Sequence, residues 1–477
     1  MTNSTDESGL LTSAGLPEKG STLFLTFVCI VSALGGLLFG YDTVVISGTV
    51  TAVKAQFSLS DTLEGLFVSS ALIGCVIGCA VAGPISDRIG RKKVLIASSL
   101  LFVISAAGCG IADSANFLIC ARWIGGVGVG IASMICPLYI SEISLPHLRG
   151  RLVTLFQFAI TIGICLALFA NTALQGISES SSSSDGQGLW HWMVVEEVWR
   201  AMFIAEVFPA SLFFVLCLTI PESPRWLTKM NRTEEAYQIL ARVGGRQTAE
   251  KEIQEISDAI AQEEGSVAQL FKPGLRKALF VALFLSIVSE MSGVTVILYY
   301  GPGILEKAGF TFGDALGGFV PIGIVNMLFT ILAIWLIDVS GRRPLLFWGN
   351  LGCFLALATI GLLFSQGKTD GAILVVLICF FMACFAFSIG PIKWVVMSEI
   401  FPTRIRGRAV AISSLAVWLT DAVYNQLYPM AREVIGEAGM FFVFAAVLIP
   451  QFYFVWKVMP ETKGLTLEEI EQSWTNK

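Results

Sequence analysis

Runs of about twenty residues with almost no charge recur along this chain, and each is long enough to cross a bilayer as a helix. They lie near 23–46, 64–86, 93–112, 116–140, 152–174 and 200–220, then near 276–301, 315–337, 343–364, 371–397, 408–430 and 436–458. A β-barrel would need polar and apolar positions to alternate, and these runs are continuous. Charged residues are only 14% of the 477 and hydrophobic ones 55%. A soluble domain carries roughly 25% charged residues, so this chain cannot coat a globule of its own size with charge. That excludes a soluble enzyme, a disordered protein and a disulfide-stapled secreted protein. The expected fold is an all-α membrane protein with twelve transmembrane helices in two six-helix bundles. It divides into an N-terminal tail (1–22), a first bundle (23–220), a helical linker (221–273), a second bundle (274–458) and a C-terminal tail (459–477).

Basic residues orient the spans. The loops 87–93, 141–151, 338–343 and 398–408 hold eleven Lys and Arg, whereas the opposite loops hold four, Lys54, Lys307, Lys368 and Arg432. The rich loops are expected to be cytoplasmic, and with them both termini and the linker. In the linker, Ala236, Ile239 and Leu240, then Ile253, Ile256 and Ile260, recur at helical spacing, which predicts short amphipathic helices. These helices are expected to latch the two halves. Residues 1–20 show no cleavable signal pattern, so the first apolar run is expected to remain as a span. The triplets at Asn3 and Asn231 resemble glycosylation sites, but they fall on the side expected to be cytoplasmic and are read as chance.

Other chemistries find little support. The net charge is −5, and the longest basic run is Arg91-Lys92-Lys93, so no nucleic-acid partner is expected. Eleven Cys lie scattered in apolar segments, and Cys75 and Cys79 sit beside Gly74 and Gly78 as small packing residues. With two His and no CxxC motif, neither a metal site nor a haem site is expected, and no cofactor. The chain holds no phosphate-binding loop and no nucleophile–base set. The glycines of 125–130 lie inside an apolar run, where small residues allow helices to approach closely.

The two halves repeat. DRIGRKK at Asp87–Lys93 matches DVSGRRP at Asp338–Pro344, SEISLPHLRGR at Ser141–Arg151 matches SEIFPTRIRGR at Ser398–Arg408, and PESPRW at Pro221 matches PETKG at Pro460. The offsets are 251, 257 and 239 residues, and each motif follows the second, fourth or sixth span of its half. Two related bundles joined in this way fit a transporter that rocks one half against the other around a central site.

These motifs carry a resemblance. With GGLLFGYDTVVISG at Gly35, RWIGGVGVGIASMICPLYISEI at Arg122, ILYYGP at Ile297 and GPIKWVVMSEIFP at Gly390, the chain resembles the sugar porter family of the major facilitator superfamily. It reads nearest to that family's bacterial D-xylose–proton symporters. The resemblance implies a proton-coupled symporter of a sugar or sugar-like solute in a bacterial inner membrane. The partners are then the solute, protons and the lipid bilayer, and the protein is expected to be a monomer. A facilitative uniporter and a non-transporting sugar sensor remain as alternatives.

The resemblance also implies roles for residues. Asp42 would carry the proton and Arg122 would pair with it. Glu206 fits the symporter pattern, as a proton group or as a structural one. Charges inside the membrane cost about 2.5–3.5 kcal/mol each on insertion scales and mark function. On the cytoplasmic side, Glu142, Glu222 and Glu399 with Arg88, Arg91, Arg151, Arg225, Arg342 and Arg406 would form ion pairs between the halves, a gate of weak, reversible contacts. A sugar needs amides for its hydroxyls and aromatic faces for its C–H patches. Gln157, Phe39, Tyr299, Asn326, Phe385, Gly390, Trp394 and Trp418 match the family's pocket.

Departures from the family cluster in the second half. Where typical members carry a Gln pair and an Asn, this chain reads Ser289-Glu290-Met291-Ser292-Gly293-Val294-Thr295. Lys393 precedes Trp394, Val417 precedes Trp418, and Asp421 replaces a common Asn. The pocket has lost amides and gained three charges. These are expected to pair as Lys393–Glu290 or as Lys393–Asp421, because an isolated buried charge is very unfavourable. A monosaccharide, a polyol or a sugar acid could each be the solute.

Overall fold

A computed structural model describes residues 20–181, 188–261, 267–272, 275–368, 371–401, 403–459 and 461. Among these residues eleven helical runs are long and apolar enough to cross a membrane. They are α1 (Thr22–Gly48), α2 (Asp61–Ile89), α3 (Arg91–Gly110), α4 (Ala115–Ile143), α5 (Pro146–Ser181), α6 (Val198–Thr219), α7 (Leu275–Lys307), α8 (Phe312–Ile337), α9 (Arg342–Ser365), α10 (Gly371–Met397) and a final run, Gly407–Lys457. A straight helix of 51 residues would reach about 75 Å, far beyond a hydrocarbon core of about 30 Å. The run turns back at Gly436, where φ is 70° and ψ 173°. It therefore holds α11 (407–435) and α12 (437–457), and the crossings number the expected twelve. No strand occurs among the described residues. The protein is a multi-pass, all-α membrane protein. Most of the expected terminal tails, 1–19 and 462–477, lies outside the described residues.

Local sequence sets where the spans start. Ser60, Ser114 and Thr311 precede α2, α4 and α8, and each hydroxyl accepts the N–H three residues on, at 3.4, 3.3 and 3.2 Å. This satisfies one of the donors that a helix N-terminus leaves without an intrahelical partner. Outward faces are apolar, as at Phe208, Leu328, Trp335 and Val376, all exposed. That suits a helix whose backbone is internally satisfied and whose solvent is lipid. Where α2 meets α4, small residues let the backbones touch. A Cβ on Gly126 would stand 1.8 Å from the Ala71 carbonyl oxygen, and one on Gly130 2.3 Å from that of Cys75. The glycines of 125–130 are packing residues.

The internal repeat appears as a duplicated turn. Gly90 and Gly341 adopt φ of 99° and 87°, so each closes one span and opens the next. Directly after them, Glu222 Oε1 accepts the backbone N–H of Arg91 and Lys92 at 2.8 and 3.1 Å. In the second half, Glu461 accepts those of Arg342 and Arg343, both at 3.0 Å. A carboxylate thus caps α3 and α9 in the same way, where the helix dipole favours negative charge.

Three spans are interrupted. α6 breaks at Ala205-Glu206 between Val198–Ile204 and Val207–Thr219. α7 breaks at Ser292-Gly293 and α10 at Ser388. Broken helices of this kind line central sites in transporters. The linker forms Pro224–Lys229, Thr233–Gly244 and Arg246–Ala261, with Tyr237, Leu240, Ala241 and Ala249 in one small core. These helices dock on the first half. Trp226 Nε1 donates to the Asp87 carbonyl at 3.0 Å, and the Arg242 guanidinium lies 4.1 Å from the Phe24 ring centroid.

Candidate functional site

In the first half, three charged side chains are enclosed together. Asp42 comes from the outgoing end of α1, Arg122 from α4 and Glu206 from the break in α6, at 2%, 1% and 2% exposure. Arg122 Nη1 donates to Asp42 Oδ1 at 2.8 Å and to the Asp42 carbonyl at 3.1 Å. Its guanidinium lies 5.5 Å from the Phe203 ring centroid. The pair is single-pronged. Asp42 Oδ2, Arg122 Nε, Glu206 Oε1 and the Tyr41 hydroxyl are buried without a hydrogen-bond partner. Buried polar atoms are normally satisfied, so this concentration marks a place where a proton or a moving group can be accommodated. Sequence reading missed Tyr41, although it directly precedes Asp42.

A second charged group sits in the other half. Glu290, just before the break in α7, forms an ion pair with Lys393, which follows the break in α10. The sequence left two partners open for Lys393, and Glu290 is the one it meets. Asp421 on α11 instead accepts from Thr295 Oγ1 at 2.6 Å and from Asn425 Nδ2 at 2.7 Å. Asn425 was not foreseen, although it lies four residues after Asp421 and so on the same helix face. The two groups differ in depth. Lys393 stands six residues from Glu399 at the basic end of α10, about 9 Å along a helix. Arg122 stands twenty from Glu142, about 30 Å. Cys75 and Tyr299 lie between, each within electrostatic reach of Arg122 and of Asp421.

The aromatic and amide residues expected in a pocket are brought only partly together. Phe39 and Trp418 meet across the halves, ring centroids 5.2 Å apart and planes at 50°. Trp394 lies half-buried with the Lys393 ammonium 5.5 Å from its ring centroid. Phe385 packs beside Gly390, where a Cβ would come within 3.1 Å of its ring. Gln157 is half-buried and Asn326 buried, and neither side chain makes a hydrogen bond among the described residues. Ser289 Oγ and Trp418 Nε1 are buried without partners, and Tyr299 is 4% exposed. The amides and the indole N–H are therefore uncommitted groups suited to hydroxyls.

On the basic face, the ion pairs that Arg91 and Arg342 make with Glu142 and Glu399 lie inside each half. Arg91 Nε and Nη2 donate to Glu142 at 2.9 and 3.0 Å, with Ser223 Oγ on the same carboxylate at 2.5 Å. Arg342 Nε and Nη2 donate to Glu399 at 3.2 and 2.6 Å. Each arginine also holds the last turn of the preceding span, at the Ser86 and Ile337 carbonyls. Glu222 serves as the cap on α3 described above. Arg88 and Arg151 are exposed, and Arg225 is half-buried in the linker. The side chain of Arg406 lies outside the described residues.

A set of polar contacts joins the halves toward the opposite face. Ser69 donates to Gln426 Oε1 at 2.8 Å and Thr51 to Glu306 at 3.0 Å, and Arg432 meets Glu64 at 3.5 Å. Lys54 holds Glu64 at 2.5 Å and Asp61 at 2.6 Å from the first half. Lys307 holds Glu437 at 2.6 Å in the second. Thr51, Lys54, Glu64, Glu306, Lys307 and Arg432 border a cavity of about 450 Å³ that also touches Tyr299, Tyr300 and Gly303. Sequence reading counted Lys54 and Arg432 only as loop charges and passed over Glu64, since nothing local links residues so far apart. The halves are thus clasped on the face opposite the basic loops.

Comparison with known proteins agrees with this architecture. The family model described as "Sugar (and other) transporter" matches residues 28–474. The arabinose-proton symporter of Bacillus subtilis (strain 168) is 40% identical over 455 residues, covering 94% of this chain and 95% of that protein. The D-xylose-proton symporter of Escherichia coli (strain K12) is 35% identical, over 94% of this chain and 96% of its own. The inward open structure of the xylose transporter XylE from E. coli superposes with a TM-score of 0.80, at 35% identity, over 94% of this chain and 100% of that one. With its spans, its repeat and its match over nearly the whole length, this chain belongs to the sugar transporter family of the major facilitator fold.

Proposed function

We propose that this protein is a secondary active transporter that moves a neutral sugar or sugar-like solute together with protons by alternating access. The observation that carries this reading is the enclosed Asp42–Arg122 pair, single-pronged, with Asp42 Oδ2 left without a partner. A proton on Oδ2 neutralises the carboxylate and loosens its hold on Arg122. That changes the relative stability of the two open states, as a coupling ligand must. Arabinose-proton and D-xylose-proton symporters among the relatives support the same coupling. Glu206 and Tyr41 share the enclosure and supply a second polar route to the pair.

The solute site is placed between the halves, with Phe39, Trp418 and Trp394 as faces and Gln157 and Asn326 as hydrogen-bonding amides. Glu290 engages Lys393, so the lysine is not left to recruit an anion, and this favours an uncharged solute over a sugar acid. The basic face is assigned to the cytoplasm of a bacterial cell, which places both termini inside. The clasp of Glu64 and Arg432 then closes the outside. The duplicated Arg91–Glu142 and Arg342–Glu399 pairs hold each bundle rigid so that it moves as a body.

The test is uptake into proteoliposomes of arabinose, D-xylose, a panel of polyols and a uronate, with and without an imposed proton gradient. Accumulation of a neutral solute above its outside concentration, only when the gradient is present, is the expected result. Equilibration at the same level in both conditions would make the protein a uniporter. Absence of any solute flux would remove the transport reading.

A further inference from the structure

Asp42, Glu206 and Arg122 form one enclosed group of two acids and one base, and Glu290, Asp421 and Lys393 form a matching group in the second half, at 4%, 2% and 7% exposure. Lys393 is committed to Glu290. Asp421 has only neutral donors, the Thr295 hydroxyl and the Asn425 amide, and both reach the same oxygen, Oδ1. Asn425 Nδ2 also donates to Thr295 Oγ1 at 3.0 Å and to the Asp421 carbonyl at 3.0 Å, while Asn425 Oδ1 is buried with no partner.

The groups facing Asp421 include one cation, Lys393, whose ion pair is with Glu290. α7 contributes Glu290, Thr295 and Tyr299, α10 contributes Lys393, α2 contributes Cys75, and its own helix contributes Asn425. The one cation already answers the one other acid. An enclosed carboxylate without a cation of its own is disfavoured in that position. A proton on Oδ2 removes the charge and keeps both hydrogen bonds to Oδ1.

We propose that Asp421 is a second proton-binding site, in the half that does not hold Asp42, so that the cycle carries two protons on two separate carboxyls. This rests on the proton-coupled reading above and extends it. The proton comes from water in the central passage and forms an O–H bond at Oδ2. It leaves to water on the other side, and no electrons move. The break in α7 gives the site a mechanical link. Thr295 belongs to the segment Val294–Lys307, beyond Gly293, whereas Glu290 belongs to Leu275–Met291. A hinge at Gly293 withdraws Thr295 from Oδ1 while Glu290 stays in place, which weakens the carboxylate form and drives proton uptake.

The test needs no solute. Infrared difference spectra of the purified full-length protein are recorded through a pH titration with isotope-labelled aspartate, which separates Asp42 and Asp421 from the glutamates. The wild type should show two enclosed aspartic-acid carbonyl stretches. Asp421→Asn should lose one of them and keep the one that Asp42→Asn removes. An Asp421→Asn spectrum superimposable on the wild type overturns the proposal, as does a change at this site that follows sodium concentration and not pH. If Asp421→Asn does not fold, Asp421→Glu decides. Loss of one labelled aspartate band supports the proposal and retention of both refutes it. If Asp42→Asn leaves both bands while Asp421→Asn removes one, the assignment of Asp42 fails and the present one stands.

Discussion

Arg122 holds Asp42 through one nitrogen, Nη1 to Oδ1 at 2.8 Å, and leaves the second carboxylate oxygen buried with no partner. A two-pronged pair would be stronger and more fixed in geometry. The single contact is consistent with a bond that has to open once in every cycle.

Asp42→Asn keeps the shape of the side chain and removes its titration. Gradient-driven accumulation of the transported sugar should be lost, while counterflow exchange persists. Undiminished accumulation against a concentration gradient would exclude Asp42 as the carrier.

Lys393→Met strands Glu290 without its cation. Removing one partner of a buried pair costs about 3–5 kcal/mol, whereas replacing both can be nearly neutral. Thermal unfolding in detergent should therefore shift down sharply for Lys393→Met and recover by at least half in Lys393→Met with Glu290→Gln. Additive losses in the double variant would mean that the two side chains do not depend on one another.

The two duplicated arginines should differ. The Arg91 and Glu142 side chains are 7% and 5% exposed, whereas those of Arg342 and Glu399 are 11% and 24% exposed. Water takes up part of the charge left on Glu399, so Arg342→Ala should lower the unfolding temperature less than Arg91→Ala, which is expected to cost about 3–5 kcal/mol. The reverse order would show that burial of the pair does not govern its contribution.

On the clasped face, Arg432→Ala removes the cation that reaches Glu64 from the other half. Cysteine placed at Ser69, behind the clasp, should then react several-fold faster with a membrane-impermeant maleimide than in the wild-type background. An unchanged rate would place the closure in the apolar contacts alone.

For the pocket, Trp394→Ala and Gln157→Ala should each weaken binding of the transported sugar, read by isothermal calorimetry. Each removes a stacking face or an amide. Losses smaller than about twofold in both, roughly 0.4 kcal/mol, would put the site elsewhere.

The spans, the repeat, the membrane-buried Glu290, Lys393 and Asp421 and the need of Lys393 for an acid are all legible in the sequence. Hydropathy and the burden of an enclosed charge are local properties, summed along one helix. It could not choose between Glu290 and Asp421, which are 131 residues apart, because that depends on how α7, α10 and α11 are rotated and at what depth they cross. The same holds for the basic motifs. Their sequence announces arginines and glutamates at helix ends, and only the folded bundle decides that Arg91 meets Glu142 of its own half and that Glu222 caps α3. The clasp of Glu64 with Arg432 lies furthest from sequence reach, because it joins two bundles whose contact is set by the conformational state and by no single segment. Tertiary structure decided the partners, since hydrogen bonds and ion pairs form only at contact distance, and contact between distant segments is not encoded in any one of them.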